Sequence, residues 1–375
     1  MKTRDLFPLG VAEGEAFCDR SVETKWLLNN IDSGKHSLII SPRRYGKTTL
    51  AYRALSISKL PYIEIDFVMA TSEKKVEEFI ARGVSDLINK SLGPIDKLFN
   101  SIKKYSSKTI PKIAINAEGL SLELAFPSDS SSAINIMESL LLLENLLTEK
   151  KKRAVILFDE FQTVGTIAKG SGIEGAIRHV AQKTKYLSII FSGSNCNLLK
   201  SIFEDENRPL YKLCKQLFLD RVPYPEYEKH LTKAALAQWE SALSEPVIKH
   251  IIDLTEAHPY YVNKLCDIVW SENQKLPQIT DIDRAWQTLI IEEKSDILRE
   301  LSLLSPGQKK VLAAIANGSA TNLTGKSVSM KIDMSPSSTA TALDGLLDKD
   351  VIEQKEGLYK IINPVIKAFV KIRVY

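Results

Sequence analysis

Lys47 and Thr48 stand directly after Gly46 in the run Ser41-Pro42-Arg43-Arg44-Tyr45-Gly46-Lys47-Thr48-Thr49. A glycine, an ammonium and a hydroxyl in this order suit one kind of chemistry, the holding of a polyphosphate. The loop must turn its backbone N–H groups inward around a phosphate, and Gly46 permits both the backbone shape and the close approach. Lys47 then reaches the β- and γ-phosphates, and the Thr48 hydroxyl can ligate Mg²⁺. A helix opening at this point adds its positive N-terminal end. Arg44, Tyr45 and Thr49 share the loop and helix start and join the candidate nucleotide contacts. Arg43 and Arg44 equally suit a contact with a lid or a partner. The P-loop pattern G-x-x-x-x-G-K-[ST] has glycine where this chain has Ser41, and a small residue serves there if its φ is negative.

A second pair of chemically capable residues closes the run Ala154-Val155-Ile156-Leu157-Phe158-Asp159-Glu160. An apolar strand ending in two carboxylates is a Walker B pattern. Asp159 would hold Mg²⁺ through water, and Glu160 would polarise the attacking water as a general base. Each motif has a plainer reading, a helix start after a buried strand and a strand ending in a solvated acidic turn. Both together, in this order, point to ATP chemistry with Mg²⁺.

The elements that must position these residues are legible around them. Residues up to about 222 alternate strand-like and helix-like segments, the mark of an α/β parallel sheet. Strands are expected at His36–Ile40, Tyr62–Phe67, Ala154–Phe158, Leu187–Ser192 and Gln216–Leu219. Helices are expected at Lys47–Ser58, Glu73–Lys90, Ser131–Glu149 and Gly172–Thr184. Alternation on both sides of Glu118-Gly119 predicts a β-hairpin inserted near 112–125. Residues 223–304 carry no strand signal and read as an all-α lid. Residues 305–375 read as a winged helix. Ser305-Pro306 and Ser335-Pro336 open two of its helices, and Glu356-Gly357 turns its hairpin.

Composition narrows the class. The chain has 375 residues, 44% hydrophobic and 26% charged, as in soluble globular proteins of two or three domains. No apolar run approaches the roughly 18 residues of a membrane span, and the first residues lack a signal-peptide core. Cys18, Cys196, Cys214 and Cys266 form no C-x-x-C and read as free thiols, which places the chain in the cytoplasm. His179, His230, His250 and His258 show no ligand spacing. The net charge is +4, and residues 306–375, with ten Lys/Arg against six Asp/Glu, carry all of the excess.

The chain resembles the P-loop ATPases of the STAND and archaeal-type group within the AAA+ class. The resemblance rests on Phe17-Cys18-Asp19-Arg20, the Arg-Arg-x-Gly-Lys-Thr loop, Phe158-Asp159-Glu160-Phe161-Gln162 and Phe191-Ser192-Gly193-Ser194-Asn195. Pro209-Leu210-Tyr211, His258-Pro259-Tyr260-Tyr261 and the winged helix complete it. It implies that Phe17 and Arg20 flank the nucleotide and that Ser194 or Asn195 senses the γ-phosphate. It also implies that Pro259 and Tyr260 face the base. Arg208 is the candidate arginine finger, reaching a neighbouring subunit in a nucleotide-dependent homo-oligomer; the plainer reading is a surface cation.

Two functions follow. In one, ATP binding and hydrolysis toggle a switch that controls a partner protein or self-assembly. In the other, the winged helix takes the ATPase to DNA, in transposition, replication or anti-phage defence. The basic C-terminal excess favours DNA. The expected recognition helix, Ser337–Asp348, has neither Lys nor Arg, which disfavours base reading. Lys331, Lys349 and Lys355 flank it as candidate backbone grips.

Overall fold

The structure is a computed structural model. It describes residues 6–18, 20–92, 101–102, 104–105, 110–116, 119–127, 129–169 and 172–373, with the backbone alone at 110–116, 119–121, 326–327 and 372–373. By contacts the chain forms two units. The first comprises Ser21–Ser41 and Lys47–Leu219; the second joins the N-terminal residues through Arg20, Pro42–Gly46, and the chain from Asp220 onward.

The first unit is built on a five-stranded parallel sheet in the order Tyr62–Asp66, Ala154–Asp159, Leu187–Gly193, Ser37–Ile40, Lys215–Phe218. Its strands are β1 (Ser37–Ile40), β2 (Tyr62–Asp66), β5 (Ala154–Asp159), β6 (Leu187–Gly193) and β7 (Lys215–Phe218). Its helices are α1 (Ser21–Asp32), α2 (Lys47–Ser58), α3 (Glu73–Ser91), α4 (Ser132–Lys150), α5 (Gln162–Ile167), α6 (Ile173–Ala181) and α7 (Cys196–Phe203). β1, β5 and β6 are buried along their whole length, as parallel strands covered on both faces must be. Successive side chains point to opposite faces. Val155 and Leu157 therefore join Ile39 and α1–α2 in one core, while Ile156 and Phe158 join Leu38, Ile40, α3 and α4 in the other. The same alternation sends Asp159 to the α2 side.

The inserted hairpin is present as antiparallel β3 (Ile110–Asn116) and β4 (Gly119–Ala125), paired from Ile110↔Ala125 to Asn116↔Gly119. Of the expected turn Glu118-Gly119, Glu118 lies outside the described residues. The Asn89 amide of α3 grips the backbone of β4, accepting from Leu122 N at 3.0 Å and donating to Leu122 O at 3.2 Å.

The second unit is helical apart from one hairpin. It contains α8 (Tyr224–Trp239), α9 (Glu245–Thr255), α10 (Pro259–Glu272), α11 (Ile279–Ser302), α12 (Pro306–Ala316), α13 (Lys326–Lys331), α14 (Pro336–Asp348), β8 (Ile352–Lys355), β9 (Leu358–Ile361) and α15 (Pro364–Arg373). One apolar cluster runs from Phe7 through Trp270 and Leu289 to Leu312 and Phe369. Helix starts follow local rules. Ser305 and Gln308 form a capping box with Pro306 at the first helical position, and Ser335 caps α14 ahead of Pro336.

Candidate functional site

Two groups of the expected site residues come together, one in each unit. In the first unit, β1 ends at Ile40 and α2 begins at Lys47. The buried Lys47 Nζ donates to the Ser41 carbonyl at 3.0 Å. Ser41 is not among the residues of positive φ, so it serves where the pattern has glycine. Gly46 has φ +87° with nothing within 4 Å of an added Cβ, so the demand for glycine there is torsional rather than steric. Thr49 follows in the first turn of α2.

Facing Lys47 and Thr48 is the end of β5. The Thr48 hydroxyl donates to Asp159 Oδ2 at 3.1 Å, and Asp159 Oδ1 accepts the Glu160 backbone N–H at 3.0 Å. Glu160 has φ 49°, a left-handed conformation that a non-glycine residue holds only when its surroundings demand it. Its Oε2 accepts from Ser194 Oγ at 2.7 Å and from the Gln162 amide. Of the two residues offered as the γ-phosphate sensor, Ser194 meets Glu160. Asn195 instead caps α7, its Oδ1 accepting from Leu198 N at 2.8 Å.

Gln162 is the residue to which the sequence reading gave no role. It is buried, its Oε1 has no hydrogen-bond partner, and a Cβ added at Gly193 would lie 1.9 Å from that oxygen. Gly193 thus leaves the room in which the Gln162 amide reaches Glu160. The signal was a carboxamide two residues beyond the acidic pair.

The hard oxygen donors of Thr48 and Asp159, one hydroxyl and one carboxylate, suit Mg²⁺, an ion that completes its shell with phosphate oxygens and water. No cluster of three or more His, Cys, Asp or Glu able to hold a metal occurs among the described residues.

The second group surrounds the tip of the loop. Arg20 donates to Tyr45 O at 3.3 Å and to Asp220 O at 2.7 Å. Arg44, at φ 66°, lies with its guanidinium 4.2 Å from the centre of the Tyr260 ring. Tyr45 is 1% exposed and packs edge-on against His258 at 4.8 Å. Its hydroxyl accepts from Arg221 Nε at 3.2 Å. Burial pushes the Tyr45 phenol up to about 12, with Arg221 pulling the other way. Burial, then the Arg221 charge, lowers the His258 imidazole to about 3. Phe17 is half-buried, and Pro259 opens α10.

Other candidates are tied up elsewhere. Arg208 bonds Glu174 through both Nε, at 3.1 Å, and its second terminal nitrogen. Lys349 Nζ donates to Leu303 O at 2.8 Å and Gln308 Oε1 at 3.1 Å. Lys355 Nζ donates to Asp220 at 2.7 Å and pairs with Glu353 at 3.3 Å. Lys331 is exposed.

Parallel sheet, phosphate loop and appended winged helix define the class: this is a P-loop α/β fold of the AAA+ type with a C-terminal winged-helix domain. A family described as a probable winged helix domain matches residues 298–371. The chain is similar to the Walker-type ATPase paby2304 of Pyrococcus abyssi, at 20% identity over 98% of this chain and 99% of that one, with a TM-score of 0.68. It is also similar to the ORC2 protein of Aeropyrum pernix, solved as ADPNP–ADP complexes, at 14% identity over 96% and 95% of the two chains, with a TM-score of 0.54. Comparison with curated proteins gives no match. No helix among the described residues is long and apolar enough to cross a membrane.

Proposed function

We propose that this chain binds ATP with Mg²⁺, hydrolyses it, and uses the cycle as a switch acting on a partner protein or on its own assembly. The observation that carries this reading is the junction of Thr48, Asp159 and Glu160. A hydroxyl and a carboxylate 3.1 Å apart stand beside a second carboxylate held by Ser194 and Gln162. Lys47 and the loop amides bind the phosphates, Thr48 and Asp159 hold the metal, and Glu160 takes the proton from the attacking water. Bound Mg²⁺ supplies neutralisation of phosphate charge. Arg44 and Tyr45, from their place in the loop, and Arg20, Tyr260, Pro259 and Phe17, on the resemblance alone, are proposed nucleotide contacts. In this reading residues 1–222 carry the chemistry, while 223–304 and 305–375 convey its state in the cytoplasm. The STAND assignment belongs to this proposal and is supported by the His258-Pro259-Tyr260 segment.

Gln162 aims the base. Gln162→Leu is expected to lower ATP turnover about tenfold while leaving ATP affinity unchanged, because a displaced reacting group costs rate rather than binding. Gly193→Ala should reproduce that split by pushing the amide aside. Phosphate release and calorimetric titration with ATP check it, and equal losses in affinity and rate would count against it.

The DNA reading keeps one supporting observation, the winged-helix match over residues 298–371 with its positive excess. Against it, Lys349 and Lys355 already satisfy internal acceptors. We expect a mixed-sequence duplex to bind no more tightly than non-specific proteins do, about 10⁻⁴–10⁻⁶ M, with steep weakening by salt. Lys331→Glu should reduce even that. Fluorescence anisotropy at low and moderate salt decides, and submicromolar affinity at moderate salt would move the function to DNA.

A further inference from the structure

Arg221 is 9% exposed on its side chain and donates hydrogen bonds from all three of its nitrogens to three separate segments. Nε donates to Tyr45 OH at 3.2 Å, in the phosphate-loop tip. One terminal nitrogen donates to Glu256 O at 2.7 Å and Glu256 Oε2 at 2.9 Å, just after α9. The other donates to Ile362 O at 3.1 Å, after β9, and lies 3.9 Å from Glu353 of β8. The neighbouring Asp220 does the same with opposite charge, its carbonyl taking Arg20 and its carboxylate Lys355 of the wing.

The Glu256 segment is itself fixed from two sides. Glu256 also pairs with Lys360 of β9 at 3.1 Å and with Lys367 of α15. Its φ of 49° and that of Ala257, 56°, place two successive non-glycine residues in the left-handed region immediately before His258. Those same wing and α15 cations hold this strained turn in place. A lysine at position 221 supplies one point charge and no fork, so it cannot bridge three segments at once.

We propose that Arg221 couples the phosphate-loop tip to the wing of the winged helix, so that a change of loop conformation and a change in the seating of β8–β9 are one equilibrium. The loop end of this coupling is Tyr45, two residues before Lys47. The wing end is the Ile362 carbonyl and Glu353. Because coupling between two sites is reciprocal, a ligand that moves the loop moves the wing, and a partner that lifts the wing alters the loop. That the ligand is ATP rests on the function proposed above; the mechanical link does not.

Hydrogen–deuterium exchange on the full chain tests both parts. Tyr45→Phe deletes one hydroxyl and keeps the buried ring, and Arg221→Lys keeps the charge without the fork. Without nucleotide, each is expected to speed exchange at residues 352–362 as well as at 42–46, by about fivefold or more at both, the low end of measured couplings. Faster exchange at 42–46 with an unchanged wing overturns the proposal. In the unsubstituted chain, ATP with Mg²⁺ should shift exchange at 352–362, and Arg221→Lys should abolish that shift. ATP binding, measured separately by calorimetry, with no response at the wing also overturns it. Failure of ATP to bind removes the proposed function instead, while the nucleotide-free comparison still decides the coupling.

Discussion

Lys47→Ala is expected to abolish ATP binding, and Glu160→Gln to keep ATP binding while turnover falls at least about 100-fold, the usual worth of a positioned general base. The two substitutions act on different links of one chain of causes. Lys47 is a buried cation resting on the Ser41 carbonyl at 3.0 Å, and it needs only to swing from a neutral acceptor to an anionic one. Charge-assisted hydrogen bonds to phosphate are about twice as strong as neutral ones, so the exchange is favourable and alanine forfeits it. Glu160→Gln preserves shape, leaves the Thr48–Asp159 contact at 3.1 Å untouched, and removes the basic oxygen. Calorimetry with ATP and Mg²⁺ alongside phosphate release separates the two effects. Equal turnover in Glu160→Gln and the unsubstituted chain would remove Glu160 from its role.

The sheet was legible because strands buried on both faces show up as unbroken apolar runs, and β1, β5 and β6 are such runs. Helices opened by a phosphate loop or by proline had clear starts, and Lys47–Ser58 and the helices opened at Ser305-Pro306 and Ser335-Pro336 stand as expected. The helix α1 was missed because two of its four buried positions, Thr24 and Asn30, are polar, which hides the 3.6-residue period. The helix α5 was missed because Gln-Thr-Val-Gly-Thr-Ile combines β-branched residues and glycine in six positions. The helix α7, Cys196–Phe203, received no expectation although Asn195 is a good cap.

At the site, the candidate motif residues stood out as two local patterns, a strand–loop–helix turn at Lys47 and Thr48 and an apolar strand end at Asp159 and Glu160. Their supporting contacts were not. Tyr45 depends on Arg221, 176 residues away, and Lys355 depends on Asp220, 135 residues away. Short-range pattern carries no information about such pairings. A lysine that looks like a backbone grip for DNA in the sequence is, in the fold, half of an ion pair.

Arg208 shows the same limit, and its substitution is expected to be costly for a reason unrelated to a neighbouring active site. Arg208 engages Glu174 through two nitrogens and also lies 3.4 Å from Gly165 O. The pair is nearly out of solvent, with side-chain exposures of 15% and 5%. Arg208→Ala would leave the Glu174 carboxylate buried without its partner, which costs about 3–5 kcal/mol of unfolding free energy. Replacing both partners, Arg208→Met with Glu174→Leu, should recover most of that loss, because an apolar pair carries no desolvation penalty. Denaturant unfolding of the single and double variants measures the difference. ATP turnover per folded molecule should then be independent of protein concentration, and mixing Arg208→Ala with Lys47→Ala chains should restore nothing. Retention of stability within about 0.5 kcal/mol, the range of a free surface position, together with rescue on mixing, would return Arg208 to the role of a finger acting between subunits.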